Sequence, residues 1–275
     1  MPPPIHITDP GDPRLADYAD LKDAALRDAE FRGVRGRFIA ESELVVRALI
    51  ASGFPVASVL IESGREVKLA DALARLDPSV PVFIADRRVL EGITGFAFHR
   101  GVLACGVRPP PVDWRTVASR ARVLVIAEGI SNADNMGAIF RNTACIVGEG
   151  AAVLLAPGCC DPLYRKSMRV SIGHALRVPF ARVEPWPDAL VALYDLGFVT
   201  IALSPSPEAI PIREWSAAGC WGLPAFLIGA EGPGLRAASL NAARVRVRIP
   251  MAPGADSLNV ATALAVALSW MPGLV

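Results

Sequence analysis

The chain has 275 residues, 52% of them hydrophobic and 20% charged, with a formal net charge of +1. That describes a globular protein of one large or two ordinary domains with ample apolar material for a core, and it excludes a strongly basic or low-complexity chain. Near-neutral charge neither announces nor removes a nucleic-acid partner, because local patches matter more than the sum.

Residues 1–14 are rich in Pro and Gly and read as an arm lying on the surface. Leu15 to Glu30 has helical spacing. Arg37–Ala40 reads as a strand, followed by a helix through Leu44, Val45, Ala48 and Leu49 that Gly53 ends, as Gly often does. Val56–Ile61 and Pro81–Ala85 read as strands, Arg87–Gly92 as a short helix and Gly101–Val107 as another strand. Residues 15–108 thus form a small alternating βα unit. Pro109-Pro110-Pro111 is stiff and extended, so 109–118 is expected to be a linker and 119–275 a second domain.

The second half starts again with a strand, Arg122–Ala127. A polar turn (Ser131–Asn135), a helix (Met136–Val147) and a strand (Ala151–Leu155) follow. Asp161–Gly173 is polar and holds Arg165, Lys166 and Arg169, a solvated face or a set of phosphate contacts. Pro187–Leu196 reads as a helix and Phe198–Leu203 as a strand. Ala225–Ile228 is a short apolar run that stops in the glycine-rich turn Gly229-Ala-Glu-Gly-Pro-Gly234. Arg244–Pro250 alternates with period two, which puts its arginines on one side. Leu258–Met271 reads as a helix apolar all round, either threaded into the core or sealed against a second subunit.

The basic residues are mostly arginine, with only Lys22, Lys68 and Lys166 as lysine. The arginine fork suits phosphate, and a GC-rich genome produces the same bias. Cys105, Cys145, Cys159, Cys160 and Cys220 are odd in number and form no CxxC, as expected of reduced thiols in a cytoplasmic protein. No basic-then-apolar leader pattern opens the chain, and no apolar run reaches the ~18 residues of a membrane span. His6, His99 and His174 are scattered, so no metal site is expected.

Three stretches carry chemistry. Asn135-x-Gly137-x-x-x-Arg141 opens a helix: either an Asn cap followed by a surface Arg, or free N–H groups and an Arg gathered around an anion. Glu231 sits within the glycine turn, where a carboxylate could hold an arginine or a ligand amine. The turn lacks the G-x-G-x-x-G order of a dinucleotide site, which counts against a nucleotide-dependent dehydrogenase. Ser257 reads as a cap for the last helix. Asn259, in the first turn of an otherwise apolar helix, needs partners. In an open α/β sheet ligands bind outside the carboxyl ends of the strands, so three such strand ends suggest one composite site.

Taken together, Asn135-Met-Gly-Ala-Ile-Phe-Arg-Asn-Thr-Ala144, Leu227-Ile-Gly-Ala-Glu-Gly-Pro-Gly-Leu235 and Ile249-Pro-Met…Ser257-Leu-Asn-Val260 resemble the SpoU (TrmH-like) branch of the SPOUT RNA methyltransferases. The resemblance covers the second half. The first half is similar to the ribosomal-protein-L30e-like RNA-binding domain, on its βα pattern and Phe98-His-Arg-Gly101. This implies an α/β fold: a SPOUT-type parallel sheet with a C-terminal trefoil knot, preceded by the small L30e-like domain. It also implies a homodimer and methylation of a ribose 2′-oxygen in rRNA or tRNA. By resemblance the catalytic group comprises Asn135, Arg141, Glu231, Ser257 and Asn259. S-adenosylmethionine is implied as the cofactor, held around Leu227, Ile228, Gly229, Glu231, Gly232, Ile249, Met251, Leu258 and Asn259. Arg165, Lys166, Arg169, His99 and Arg100 are the implied RNA contacts. The competing expectation is a non-catalytic RNA-binding protein that keeps the fold.

Overall fold

A computed structural model describes residues 3–21, 28–29, 36–95, 100–219 and 222–271. The chain divides into two compact units: Met1–Pro110 with Asp161–Arg177, and Pro111–Cys160 with Val178–Val275.

The first unit is built on a five-stranded sheet of order β1-β4-β3-β5-β2: β1 (Pro4–Ile7), β2 (Arg37–Glu41), β3 (Val56–Glu62), β4 (Val82–Ala85) and β5 (Val102–Val107). β5 runs antiparallel to β2 and β3; β1, β3 and β4 are parallel. The helices are α1 (Glu43–Ala51), α2 (Glu66–Leu73) and α3 (Arg87–Thr94). One side of the core gathers Ile7, Leu15, Tyr18, Ile39, Leu60, Phe83, Leu90 and Leu103. The Tyr18 hydroxyl is buried against Ser58 Oγ at 2.8 Å, and burial pushes its pKa up.

Several expectations are corrected here. Within the expected surface arm, Pro4–Ile7 is an edge strand, with Ile5 opposite Phe83 and Ile7 opposite Ala85; four residues beside prolines are too few to show a period. In place of the start of a helix from Leu15, Pro13–Tyr18 forms a 3-10 turn whose Asp12 side chain accepts from Arg14 N; residues 22–27 and 30 lie outside the described residues. α1 stops at Ala51, where Ser52 N bonds Leu49 O, before Gly53 is reached.

The stretch Asp161–Arg177 lies in sequence between two strands of the second unit yet belongs to the first. Three contacts explain this. Arg108 and Asp161 form a bidentate pair with both N–O distances at 3.0 Å. Arg165 Nη2 donates to Leu21 O at 2.6 Å. A Cβ on Gly173 would stand 2.5 Å from Ala48 Cβ, so only glycine allows that approach. Helix α6 (Arg165–Val170) lies in this stretch.

The second unit is a seven-stranded, wholly parallel sheet of order β10-β12-β9-β11-β6-β7-β8. Its strands are β6 (Val123–Ala127), β7 (Ala151–Leu155), β8 (Phe180–Arg182), β9 (Phe198–Leu203), β10 (Ile210–Pro211), β11 (Leu223–Ile228) and β12 (Val245–Arg248). Central parallel strands are covered on both faces, and β6 and β7 accordingly read as unbroken apolar runs, every residue buried. The helices are α4 (Trp114–Ala118), α5 (Ala133–Asn142), α7 (Ala189–Asp195), α8 (Ile212–Ala218), α9 (Ala237–Ala242) and α10 (Val260–Ser269). A π-helical turn, Thr143–Val147, extends α5. α4 falls within the expected linker: Asp113 caps it by accepting from Thr116 N, and Trp114 is buried with its indole N–H on Glu184 O at 3.1 Å.

Among the described cysteines Cys105, Cys159 and Cys160 are buried and Cys145 is exposed, and none forms a disulfide. Burial pushes the Cys159 thiol up to about 11, which keeps it protonated and unreactive at neutral pH. Among the described residues no helix is long and apolar enough to cross a membrane, and no group of three or more His, Cys, Asp or Glu could hold a metal.

The Arg108–Asp161 pair is largely buried, with side-chain exposures of 19% and 4%. Removing one partner of such a pair strands the other charge. Arg108→Met is therefore expected to lower stability by about 3 kcal/mol in urea titration, and adding Asp161→Leu is expected to restore much of the loss.

Candidate active site

The site forms at the carboxyl ends of β9, β11 and β12, as expected for an open parallel sheet. β11 fills the slot between β9 and β6 and ends at Ile228 in the middle of the sheet. The chain then turns back on itself: Gly234 N bonds Ala230 O at 2.9 Å. A Cβ on Gly229 would stand 2.2 Å from both Gly234 C and Leu235 N. Only glycine fits there, and Gly232 and Gly234 adopt φ of +83° and +71°.

The loop sets Glu231 against two helix starts. Asn135 Nδ2 donates to Glu231 Oε1 at 2.5 Å. Asn259 Nδ2 donates to Asn135 Oδ1 at 2.9 Å and to Glu231 Oε1 at 3.2 Å. Asn259 Oδ1 accepts from Ala261 N and Thr262 N, which makes it the N-cap of α10. Asn132 caps α5 in the same way, accepting from Asp134 N and Asn135 N. Asn135 is buried, and each of its side-chain atoms named here is bonded within the cluster, so the amide orientations are fixed by their partners.

Beside this cluster lies a cavity of about 420 Å³, within the size range of small-molecule sites (about 300–1,000 Å³). Ile228, Gly229, Glu231, Gly232, Ile249, Met251, Ser257, Leu258 and Asn259 all line it. Leu227 points instead into the core, fully buried. Ser257 is exposed, and the cap of α10 is Asn259 rather than Ser257. Spacing analysis missed Leu203, Ser204 and Pro205, which complete the wall at the end of β9; the strand-end rule applied to β9 would have found them.

Arg141 stands apart. It lies six residues beyond Asn135 on a regular helix, about 9 Å further along the axis and on a different face. It is exposed, and neither oxygen of Glu231 bonds it. The helix beside it is anchored, since Asn142 Nδ2 donates to Ala261 O at 2.8 Å.

The expected RNA contacts belong to the first unit. Arg100 Nε and Arg169 Nη1 lie 3.4 and 3.7 Å from Glu41 Oε1, and Arg165 is tied to Leu21 O. Lys166 is half-buried on α6. His99 lies outside the described residues.

With this geometry in hand, comparison with known proteins defines the class. The SpoU rRNA Methylase family matches residues 122–269. An uncharacterised tRNA/rRNA methyltransferase of Mycobacterium tuberculosis is 42% identical over 95% of this chain and 89% of its own. The 23S rRNA (guanosine-2′-O-)-methyltransferase RlmB of Acinetobacter baylyi is 31% identical over 67% of this chain and 75% of its own. A crystal structure of an AdoMet-bound rRNA methyltransferase from Sinorhizobium meliloti superposes with a TM-score of 0.75 at 20% identity, over 97% of both chains. The chain belongs to the SpoU rRNA methylase family.

Because Asn259 both caps α10 and bonds Glu231 and Asn135, Asn259→Ala is expected to lower stability by about 1–2 kcal/mol. Ser257→Ala is expected to leave the melting temperature unchanged. Thermal unfolding of the two variants separates them.

Proposed function

We propose that this protein transfers a methyl group from S-adenosylmethionine to a ribose 2′-oxygen of rRNA or tRNA. The observation that carries this reading is the cavity at the end of β11, walled by a glycine loop and closed by the Asn135–Glu231–Asn259 cluster. The names of the RlmB relative and the AdoMet-bound neighbour support the same chemistry.

The cavity fits the cofactor by its lining. Leu203, Ile228, Ile249, Met251 and Leu258 offer apolar surface to a base and a thioether chain. Gly229 lines the cavity without a side chain, so backbone groups face the ligand there. When bound, S-adenosylmethionine supplies a methyl group already activated by the sulfonium charge. The protein's tasks are then to position the nucleophile in line and to manage its proton.

Glu231 and Asn259 line the cofactor wall and offer hydrogen bonds towards the ribose, Asn135 holds both in place from behind, and Ser257 lies at the rim. Arg141 offers a planar fork of N–H donors and no acceptor. It orients an RNA phosphate and stabilises the developing alkoxide, while phosphate or water takes the proton. Arg141 does not join the Glu231 cluster of its own chain, which supports a homodimer in which a second copy completes the site. The apolar helix α10, with Trp270 44% exposed at its end, supplies surface for that contact. A trefoil knot around β11 and α10 belongs to this reading, as does a cytoplasmic location.

We assign the first unit to RNA binding as an L30e-like domain. RNA is recognised largely through unstacked loops and 2′-hydroxyls, which suits a separate reader. Arg100, Lys166 and Arg169 are its phosphate contacts in this account, with Glu41 holding the two arginines in place.

The test is methyl transfer from labelled S-adenosylmethionine to total RNA from a strain lacking the gene. Wild type is expected to label one discrete RNA at an alkali-resistant position, and Arg141→Ala to lose at least about 100-fold in rate. Bound cofactor with no label in any RNA or ribosomal particle would favour the non-catalytic RNA-binding reading.

A further inference from the structure

We propose that Glu128 is a positioning residue that clamps both ends of the glycine loop and so sets the shape of the cofactor cavity. Its ligand is named on the reading just given; the clamp itself stands on geometry. Glu128 follows the last residue of β6 and is 2% exposed. Its backbone N donates to Ile228 O at 2.9 Å, at the entry to the loop. Its carboxylate reaches the exit: Oε2 accepts from Arg236 N at 3.1 Å, and Oε1 accepts from Ser239 Oγ at 2.8 Å. Trp186 Nε1 donates to the same Oε1 at 2.7 Å and lies 3.1 Å from Ser239 Oγ. The Arg236 guanidinium stands 3.5 Å from Oε1 on the solvent side.

One residue therefore bridges the two ends of residues 229–235, the loop that carries Glu231 and walls the cavity. The next residue reinforces the entry end: a Cβ on Gly129 would lie 3.2 Å from Ala230 Cβ. The exit end feeds α9, whose Leu240 also lines the cavity. A buried carboxylate is costly to leave unpaired, and here every partner named sits on the loop exit, on α9 or on the segment after β8. None of its bonds points into the cavity, so Glu128 acts through the loop rather than on a ligand.

Glu128→Gln keeps the shape but sets an amide N–H₂ against a donor in either orientation, Arg236 N in one and Trp186 Nε1 with Ser239 Oγ in the other. Amide exchange read by mass spectrometry needs no ligand and comes first. Faster exchange across residues 229–240, with β7 and the first unit unchanged, is the expected result. Affinity for S-adenosylhomocysteine is then expected to fall about tenfold or more, while methyl transfer at saturating cofactor stays within about threefold. Ser239→Ala removes one donor and serves as a milder second variant if Glu128→Gln does not fold; it is expected to lose a few-fold in affinity, and none further when combined with Glu128→Gln. Unchanged exchange in both variants would overturn the clamp, and so would faster exchange with undiminished affinity. Failure of the wild type to bind S-adenosylhomocysteine would overturn the cofactor reading instead, leaving the clamp to be judged by exchange alone.

Discussion

The close approach of the Gly229 backbone to Gly234 and Leu235 is the constraint on which the rest of the site depends. With 2.2 Å between a hypothetical Cβ and the facing backbone, the chain leaving β11 can close into a tight loop only because position 229 has no side chain. Closure puts Glu231 at the loop tip rather than along an extended strand. From there its carboxylate meets Asn135 on α5 and Asn259 on α10. Those two helices are 119–124 residues apart in sequence along the bonds that join them, and they touch at two places, Asn259 with Asn135 and Asn142 with Ala261 O.

Helix capping and the cavity wall share residues in this arrangement. Asn259 spends its oxygen on the first amides of α10 and its nitrogen on the cluster. The last helix cannot therefore shift without moving the cavity wall, and the cavity wall cannot open without uncapping the helix. An apolar helix at the end of a chain has little else to fix its register, since its hydrophobic faces are nearly equivalent; the amide supplies a directional contact that hydrophobic burial lacks.

Much of this was legible in the sequence because strand ends announce themselves. Apolar runs that stop in Gly, Asn or Ser located β6, β7, β9 and β11, and the strand-end rule then converged on Asn135, Glu231 and Asn259. What escaped had physical reasons. Pro4–Ile7 and Phe180–Arg182 are too short for a period to appear. Asp161–Arg177 reads as part of its sequence neighbours, whereas the Arg108–Asp161 pair that places it in the first unit links positions 53 residues apart. Glu128 had the same signature as Glu231, a carboxylate followed by glycine at a strand end, but its partners Trp186 and Ser239 come from distant segments. Spacing leaves Arg165 and Arg169 as a solvated face or as phosphate contacts; the hydrogen bond to Leu21 O and the pairing with Glu41 are not visible in it.

The central claim is that the cavity held open by Gly229 is the cofactor site. Calorimetric titration of S-adenosylhomocysteine into the wild type and into Gly229→Ala tests it most directly. The account predicts one site per chain in the wild type and an affinity at least about tenfold weaker in Gly229→Ala, because the loop must move to admit the methyl group. Equal affinity in a folded Gly229→Ala, or no binding to the wild type, would contradict it.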